Sequence, residues 1–252
     1  MDYLVFQLAG IQGSWGGIAC GEQRQSYRHP TKSAILGLIA AGLGIERSDS
    51  RLNELTNSIQ VAVQEIRCEH NMNDFQTIQT LSELDLKKLK KKKCALTRKN
   101  ELNTLDLNTI LSNREYWMDV YYRIAITTNS DIEGFSLKNI QSALENPNFH
   151  LYLGRKSCPI CLPLCPTILS ANNLIDLFEK VVTAIPLPSF VSQKMYSKSQ
   201  TYLNSDGSIF CDSGLINGDE PHKSSIKRDV PADRNLWTFC ERKEVELLRR
   251  VN

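Results

Sequence analysis

The order of its strand and helix signals constrains this chain most. Tyr3–Leu8 (YLVFQL) is a compact apolar run that reads as a buried strand. Pro30 suits the first position of a helix, with Thr31 and Ser33 to bond free amides, and Ile35, Leu36, Leu38, Ile39 and Leu43 give it an apolar face. A short second helix fits Asp49–Ser58, and Ile59–Ile66 (IQVAVQEI) alternates as a strand should. Tyr116–Thr127 (YWMDVYYRIAIT) is a further strong strand. Ser136 caps a helix that Asn146-Pro147 ends, and Phe149–Leu153 fits a fourth strand. Strand, helix, strand, long insertion, strand, helix, strand is the order of two βαβ halves. The expected class is therefore α+β, with a ferredoxin-like (RRM-like) domain over residues 1–154.

The insertion, about residues 70–113, has a different composition. Its only aromatic residue is Phe75, and residues 87–99 (KKLKKKKCALTRK) hold eight Lys or Arg and no acid. Elsewhere 22 basic residues face 28 acidic ones, so a mildly acidic body carries one intensely basic segment. Thr and Ile on both sides of it favour extended structure. The expectation is a long protruding β-hairpin, a thumb, with a basic tip. Lys87, Lys88, Lys90, Lys91, Lys92, Lys93, Arg98 and Lys99 then serve either as contacts to RNA or a partner, or only as a solubilising surface.

Residues 155–252 read as a smaller β-rich extension packed on this domain. Ala171–Ile185 looks helical, Met195–Leu203 and Ser208–Cys211 fit a hairpin around Asp206-Gly207, and Ser224–Val230 and Leu236–Cys240 fit short strands. The longest uncharged apolar run, Ala34–Ile45, suits a buried helix, so no membrane partner is expected. Eight cysteines in 252 residues are too sparse for a disulfide scaffold, and no secretory signal is visible, which points to a cytoplasmic protein.

Three segments carry candidate chemistry. Tyr27–Ser33 (YRHPTKS) joins a helix N-terminus to Arg28 and Lys32, with Arg24 on the same loop. This is either an anion site or ordinary capping. His29, flanked by Tyr27 and Lys32, also invites reading as a general acid or base in metal-independent RNA cleavage, although nothing in the sequence fixes the geometry. Gly154 with Arg155, Lys156 and Ser157 fits a phosphate-binding turn. Cys158, Cys161 and Cys165 follow it, but a structural zinc site needs a fourth ligand, none is obvious and the nearest candidate, His150, sits on the proposed strand, so no metal or cofactor is expected. Trp15, in a glycine-rich loop, either stacks on a base or packs over a strand end.

Taken together, LAGIQGSWGG (Leu8–Gly17), HPTKSAILGLIAAGLGIERSD (His29–Asp49) and YLGRKSCP (Tyr152–Pro159) resemble, in order, the signature blocks of the CasD family. DFQTI (Asp74–Ile78) and NREYWMDVYYRIAI (Asn113–Ile126) also fit the two edges of that family's thumb. The resemblance implies a RAMP-superfamily protein that is a non-catalytic subunit of type I-E CRISPR Cascade. It implies a ferredoxin-like domain with a β-hairpin thumb, and binding and capping of the 5′ handle of the guide RNA. The implied partners are the Cascade backbone subunits, the large PAM-reading subunit and, indirectly, target DNA. A type I-C relative cuts RNA, so a nuclease remains the alternative. The RNA contacts expected from these readings are Trp15, Arg24, Tyr27, Arg28, His29, Thr31, Lys32, Ser33, Gly154, Arg155, Lys156 and Ser157.

Overall fold

A computed structural model describes residues 1–91, 97–99, 107–128, 134–185, 207–216, 222–233 and 238–247. The chain divides into two compact units: Met1–Trp15 with Tyr27–His70 and Trp117–Asn252, and Gly16–Ser26 with Asn71–Tyr116.

The first unit is built on β1 (Asp2–Gly13), whose run of eight buried residues marks a strand covered on both faces. The two-residue β2 (Trp15–Gly16) follows, then β3 (Gln23–Arg24) and β4 (Ser26–Tyr27). Helix α1 (Lys32–Gly42) starts two residues later than the Pro30 reading placed it. Thr31 is the N-cap and its side chain accepts from the Ala34 amide, so Pro30 lies just outside the helix. Helix α2 (Arg51–Ser58) leads into β5 (Ile59–Arg67). Strand β7 (Leu107–Thr128) returns beside it, and helix α4 (Leu137–Glu145) is capped by Ser136 as expected. The fourth strand of the βαββαβ series is β8 (Thr167–Ser170), not Phe149–Leu153. That stretch contributes one isolated bridge, Tyr152 to Pro159, because Gly154 turns the chain back at once. In space the order is β5-β7-β1-β8, all antiparallel, which is the sequence order 2-3-1-4 of a split βαβ pair. Gly42 lets α1 and α4 meet closely, since a Cβ there would lie 2.9 Å from the Ala143 carbonyl oxygen.

The C-terminal segment continues the same sheet. Helix α5 (Leu174–Ala184) buries Leu174, Leu177, Phe178 and Val181 against Tyr3, Val5, Ala62 and Ala125. Strand β9 (Ile209–Asp212) adds to β5, then β11 (Thr238–Leu247) adds to β9, and β10 (His222–Asp233) completes that edge. The hairpin expected from Met195–Leu203 lies outside the described residues.

In the second unit, β6 (Asn71–Leu81) and β3 both pair with β7. The two strands of the expected thumb hairpin are therefore present. One part differs: Glu83–Lys91 forms helix α3, not a loop or strand. Ser82 Oγ accepts from the Asp85 amide at 3.2 Å, Glu83 and Asp85 occupy the first turn, and Lys88 pairs with Asp85 at 3.1 Å. Acids at the start and lysines later complement the helix dipole, so this lysine-rich segment is helix-compatible despite its charge.

Candidate nucleic-acid interface

The Tyr27–Ser33 segment was expected to receive a phosphate, but the structure gives it an anion from the chain itself. The Lys32 amide donates to Asp229 Oδ2 at 2.9 Å, and the Lys32 ammonium donates to Asp212 Oδ2 at 2.8 Å. Arg242 is the hub. It reaches Asp229 at 2.7 and 2.9 Å, Asp212 at 3.0 Å and Glu244 at 2.7 Å. Lys227 lies 3.6 Å from Glu244 and its ammonium sits 4.2 Å over the Tyr27 ring. Asp212 Oδ2 also accepts from the Val61 amide at 3.0 Å. Three carboxylates thus meet three fixed cations in a largely buried network that ties α1 to β9, β10 and β11.

This corrects the expectation for several residues. His29 is 6% exposed, stacked on Phe210 at 3.9 Å, and its Nε2 lies 3.2 Å from Glu244. Thr31 is buried as the N-cap, with its hydroxyl 3.1 Å from that of Ser33. Lys32 is engaged by Asp212 as described. A helix N-terminus beside cations draws an anion, and here the Asp229 carboxylate supplies it. The half-buried Tyr27 has its pKa raised by burial first and then by Asp229 and Glu244.

Burial works against the charge on Glu244, yet the hydrogen bond with His29 and the charges of Arg242 and Lys227 hold its carboxyl down at about 2. A carboxyl lowered in this way adds stability that is complete above its ordinary value of 4.5 and is lost as pH falls towards 2. Urea unfolding followed between neutral and acid pH should show this loss, of roughly 3 kcal/mol. Glu244→Gln should be less stable at neutral pH and should lose less on acidification. Equal acid sensitivity in both proteins would contradict the assignment.

A second constellation forms where β1 ends. The Ser14 amide donates to the Leu153 carbonyl at 3.1 Å, and Gln12 Nε2 donates to the Ser157 carbonyl at 2.6 Å. Gly154 has φ +83°, and a Cβ there would lie 1.8 Å from the Ser14 carbonyl oxygen, so only glycine fits the turn. The turn leaves Lys156 and Ser157 exposed and Arg155 half-buried. Gly13 pairs with Trp117 on the neighbouring strand. Over the Trp117 ring, 5.2 Å from its centroid, sits the guanidinium of Arg28. Arg28 is held by Glu65 at 2.8 Å and by the Cys68 carbonyl at 2.6 Å, with its side chain still 47% exposed.

Trp15 does not join this surface. It is 2% exposed, donates to the Tyr122 hydroxyl at 3.4 Å and packs behind Gly154, so base stacking is corrected to core packing. Trp117 takes its place as the accessible tryptophan of the cluster, and the sequence reading missed it because it lies in a strand with strong buried character. Of the hairpin cations, Lys87, Lys88, Arg98 and Lys99 are exposed. Lys90 and Lys91 lie on α3 without described side chains, and Lys92 and Lys93 lie outside the described residues. Arg24 belongs to the second unit, where it is exposed and donates to the Gly21 and Gln23 carbonyls. Cys158 is buried while Cys161 and Cys165 are exposed, and no group placed to hold a metal ion occurs among the described residues.

The family model for CRISPR-associated protein (Cas_Cas5) matches residues 3–244. The chain belongs to this Cas5 family. It is 32% identical over 165 residues to the CRISPR system Cascade subunit CasD of Escherichia coli K12, covering 65% of this chain and 69% of that protein. The fold resembles a chain of a CRISPR RNA-guided surveillance complex at 21% identity, with a TM-score of 0.65 over 97% of this chain and 89% of the other. A second solved Cas protein matches at 19% identity with a TM-score of 0.52, over 97% of this chain and 93% of that one. Among the described residues no helix of this Cas5-family chain is long and apolar enough to cross a membrane.

Proposed function

We propose that this Cas5-family protein is a non-catalytic subunit of a type I-E Cascade complex. In this reading it binds and caps the 5′ handle of the guide RNA and scaffolds the backbone and large PAM-reading subunits around it, acting on target DNA only through that assembly. One observation carries the reading: the turn bearing Arg155, Lys156 and Ser157 is hydrogen-bonded to Gln12 and Ser14 where β1 ends, and Arg28 lies over Trp117, which pairs with Gly13 at that same end. Such a surface meets a sugar-phosphate backbone without chemistry of its own. The exposed Lys87, Lys88, Arg98 and Lys99 supply further positive charge for RNA or for a partner subunit.

The alternative, metal-independent cleavage of repeat RNA, depends on His29 as acid or base. That imidazole is inside the ion network, against Phe210 and Glu244, and out of reach of an RNA backbone on the surface. Incubating the protein with repeat RNA in EDTA should return the RNA bound and uncut. Cleavage that disappears in His29→Ala would overturn the non-catalytic reading.

A further inference from the structure

We propose that Arg28 and Trp117 form a stacking platform for one nucleobase of the bound RNA. The inference rests on the RNA-binding reading above and adds to it a contact with a base as distinct from the backbone. An arginine on a surface normally samples many rotamers. Here the guanidinium is fixed by Glu65 at 2.8 Å, by the Cys68 carbonyl at 2.6 Å and by the Trp117 ring at 5.2 Å, while nearly half of the side chain stays open to solvent. The Arg28 carbonyl is also taken, by the Tyr122 hydroxyl and by Cys68 Sγ, so the backbone at this residue is fixed as well.

The stability of the fold explains this arrangement only in part: Glu65 is 14% exposed and gains from a partner, but a bridge whose arginine is 47% exposed contributes little. Attraction to phosphate does not explain it, since Glu65 offsets much of the charge. What remains is a flat, delocalised cation seated on an indole and held in place before any ligand arrives. Unpaired bases in single-stranded RNA stack on such guanidinium planes and aromatic rings, and a preorganised platform spares the entropy of ordering it. Lysine at this position would keep the charge and lose the plane.

The test is an abasic scan. Repeat-derived RNA, intact and with one handle nucleotide at a time lacking its base, is titrated against the full-length wild type, Arg28→Ala, Arg28→Lys, Trp117→Ala and Trp117→Phe. Matched thermal melting confirms that each variant is folded. Arg28→Lys and Trp117→Ala should each bind intact RNA about tenfold more weakly, with an unchanged salt slope, and Trp117→Phe should stay close to wild type. Removing one particular base should weaken the wild type by the same factor and bring wild type and Trp117→Ala to equal affinity. Saturating quenching of tryptophan fluorescence in wild type that is absent in Trp117→Phe would add direct support. Wild-type affinity in Arg28→Lys and Trp117→Ala, or base and side-chain effects that simply add, would overturn the platform while leaving RNA binding intact. A wild-type protein that binds no repeat RNA would overturn both.

Discussion

Replacing Arg242 with alanine should destabilise the first unit by about 3–5 kcal/mol, the usual cost of removing one partner from a buried ionic group. Arg242 is the shared donor to Asp212, Asp229 and Glu244. Burial works against its charge, but hydrogen bonding to Asp229 and the nearby carboxylates raise its pKa above the ordinary arginine value. Without it, Lys32 and Lys227 must compensate three carboxylates. For a chain of 252 residues a loss of this size lowers Tm by about 10 °C. Arg242→Lys keeps one charge but not the forked geometry and should fall between the two. Thermal melting measures the total. Hydrogen exchange locates it, and the β10–β11 amides together with that of Lys32 should lose protection first. A variant with wild-type Tm and protection would show that the network adds nothing.

Neutralising the surface at the end of β1 should have the opposite profile, with stability preserved and RNA binding lost. In Arg28→Ala/Arg155→Ala/Lys156→Ala the changes fall on exposed or half-exposed groups, so the cost to folding is small beside that of Arg242→Ala, most of it at Glu65, which loses its partner. Each phosphate contact removed from a single strand lowers the slope of log affinity against log salt by about 0.7, so the loss of Arg155 and Lys156 should lower it by about 1.4, while Arg28, already paired with Glu65, acts through its stacking plane. Affinity for repeat RNA at physiological salt should fall by at least about a hundredfold. Filter binding over a salt series gives both quantities. The corresponding triple change in the buried network would be a poor test of RNA binding, because its effect on folding would dominate.

These two outcomes separate what local sequence reports from what it does not. The first three strands, the helices between them and the Thr31 and Ser136 caps follow from neighbouring residues, and local pattern carries them well, whereas the fourth strand and the need for glycine at 154, set by the distant Ser14 carbonyl, do not. The fate of His29 and Lys32 depends on Asp212, Asp229, Arg242 and Glu244, which lie some two hundred residues later on strands that join the far edge of the sheet. No local signal links them, so an internal ion network and an open anion site read alike. Trp15 and Trp117 exchanged roles for a related reason. A glycine-rich loop suggests exposure, yet Gly154 folds back onto Trp15, while Trp117 sits midway along β7 in a half-buried stretch between Tyr116 and Val120. Helix α3 was legible in Ser82 and Asp85, three residues apart, but the run of lysines after them drew attention to charge and away from capping.

Ultraviolet cross-linking of the assembled complex to its guide RNA, read by mass spectrometry, tests the handle-binding account most directly. The account predicts that nucleotides of the 5′ handle cross-link to peptides containing Tyr27–Arg28, Tyr116–Trp117 and Gly154–Ser157. Handle cross-links confined to other surfaces of this chain, such as α5 or the β10 edge, or found wholly on other subunits, would contradict it.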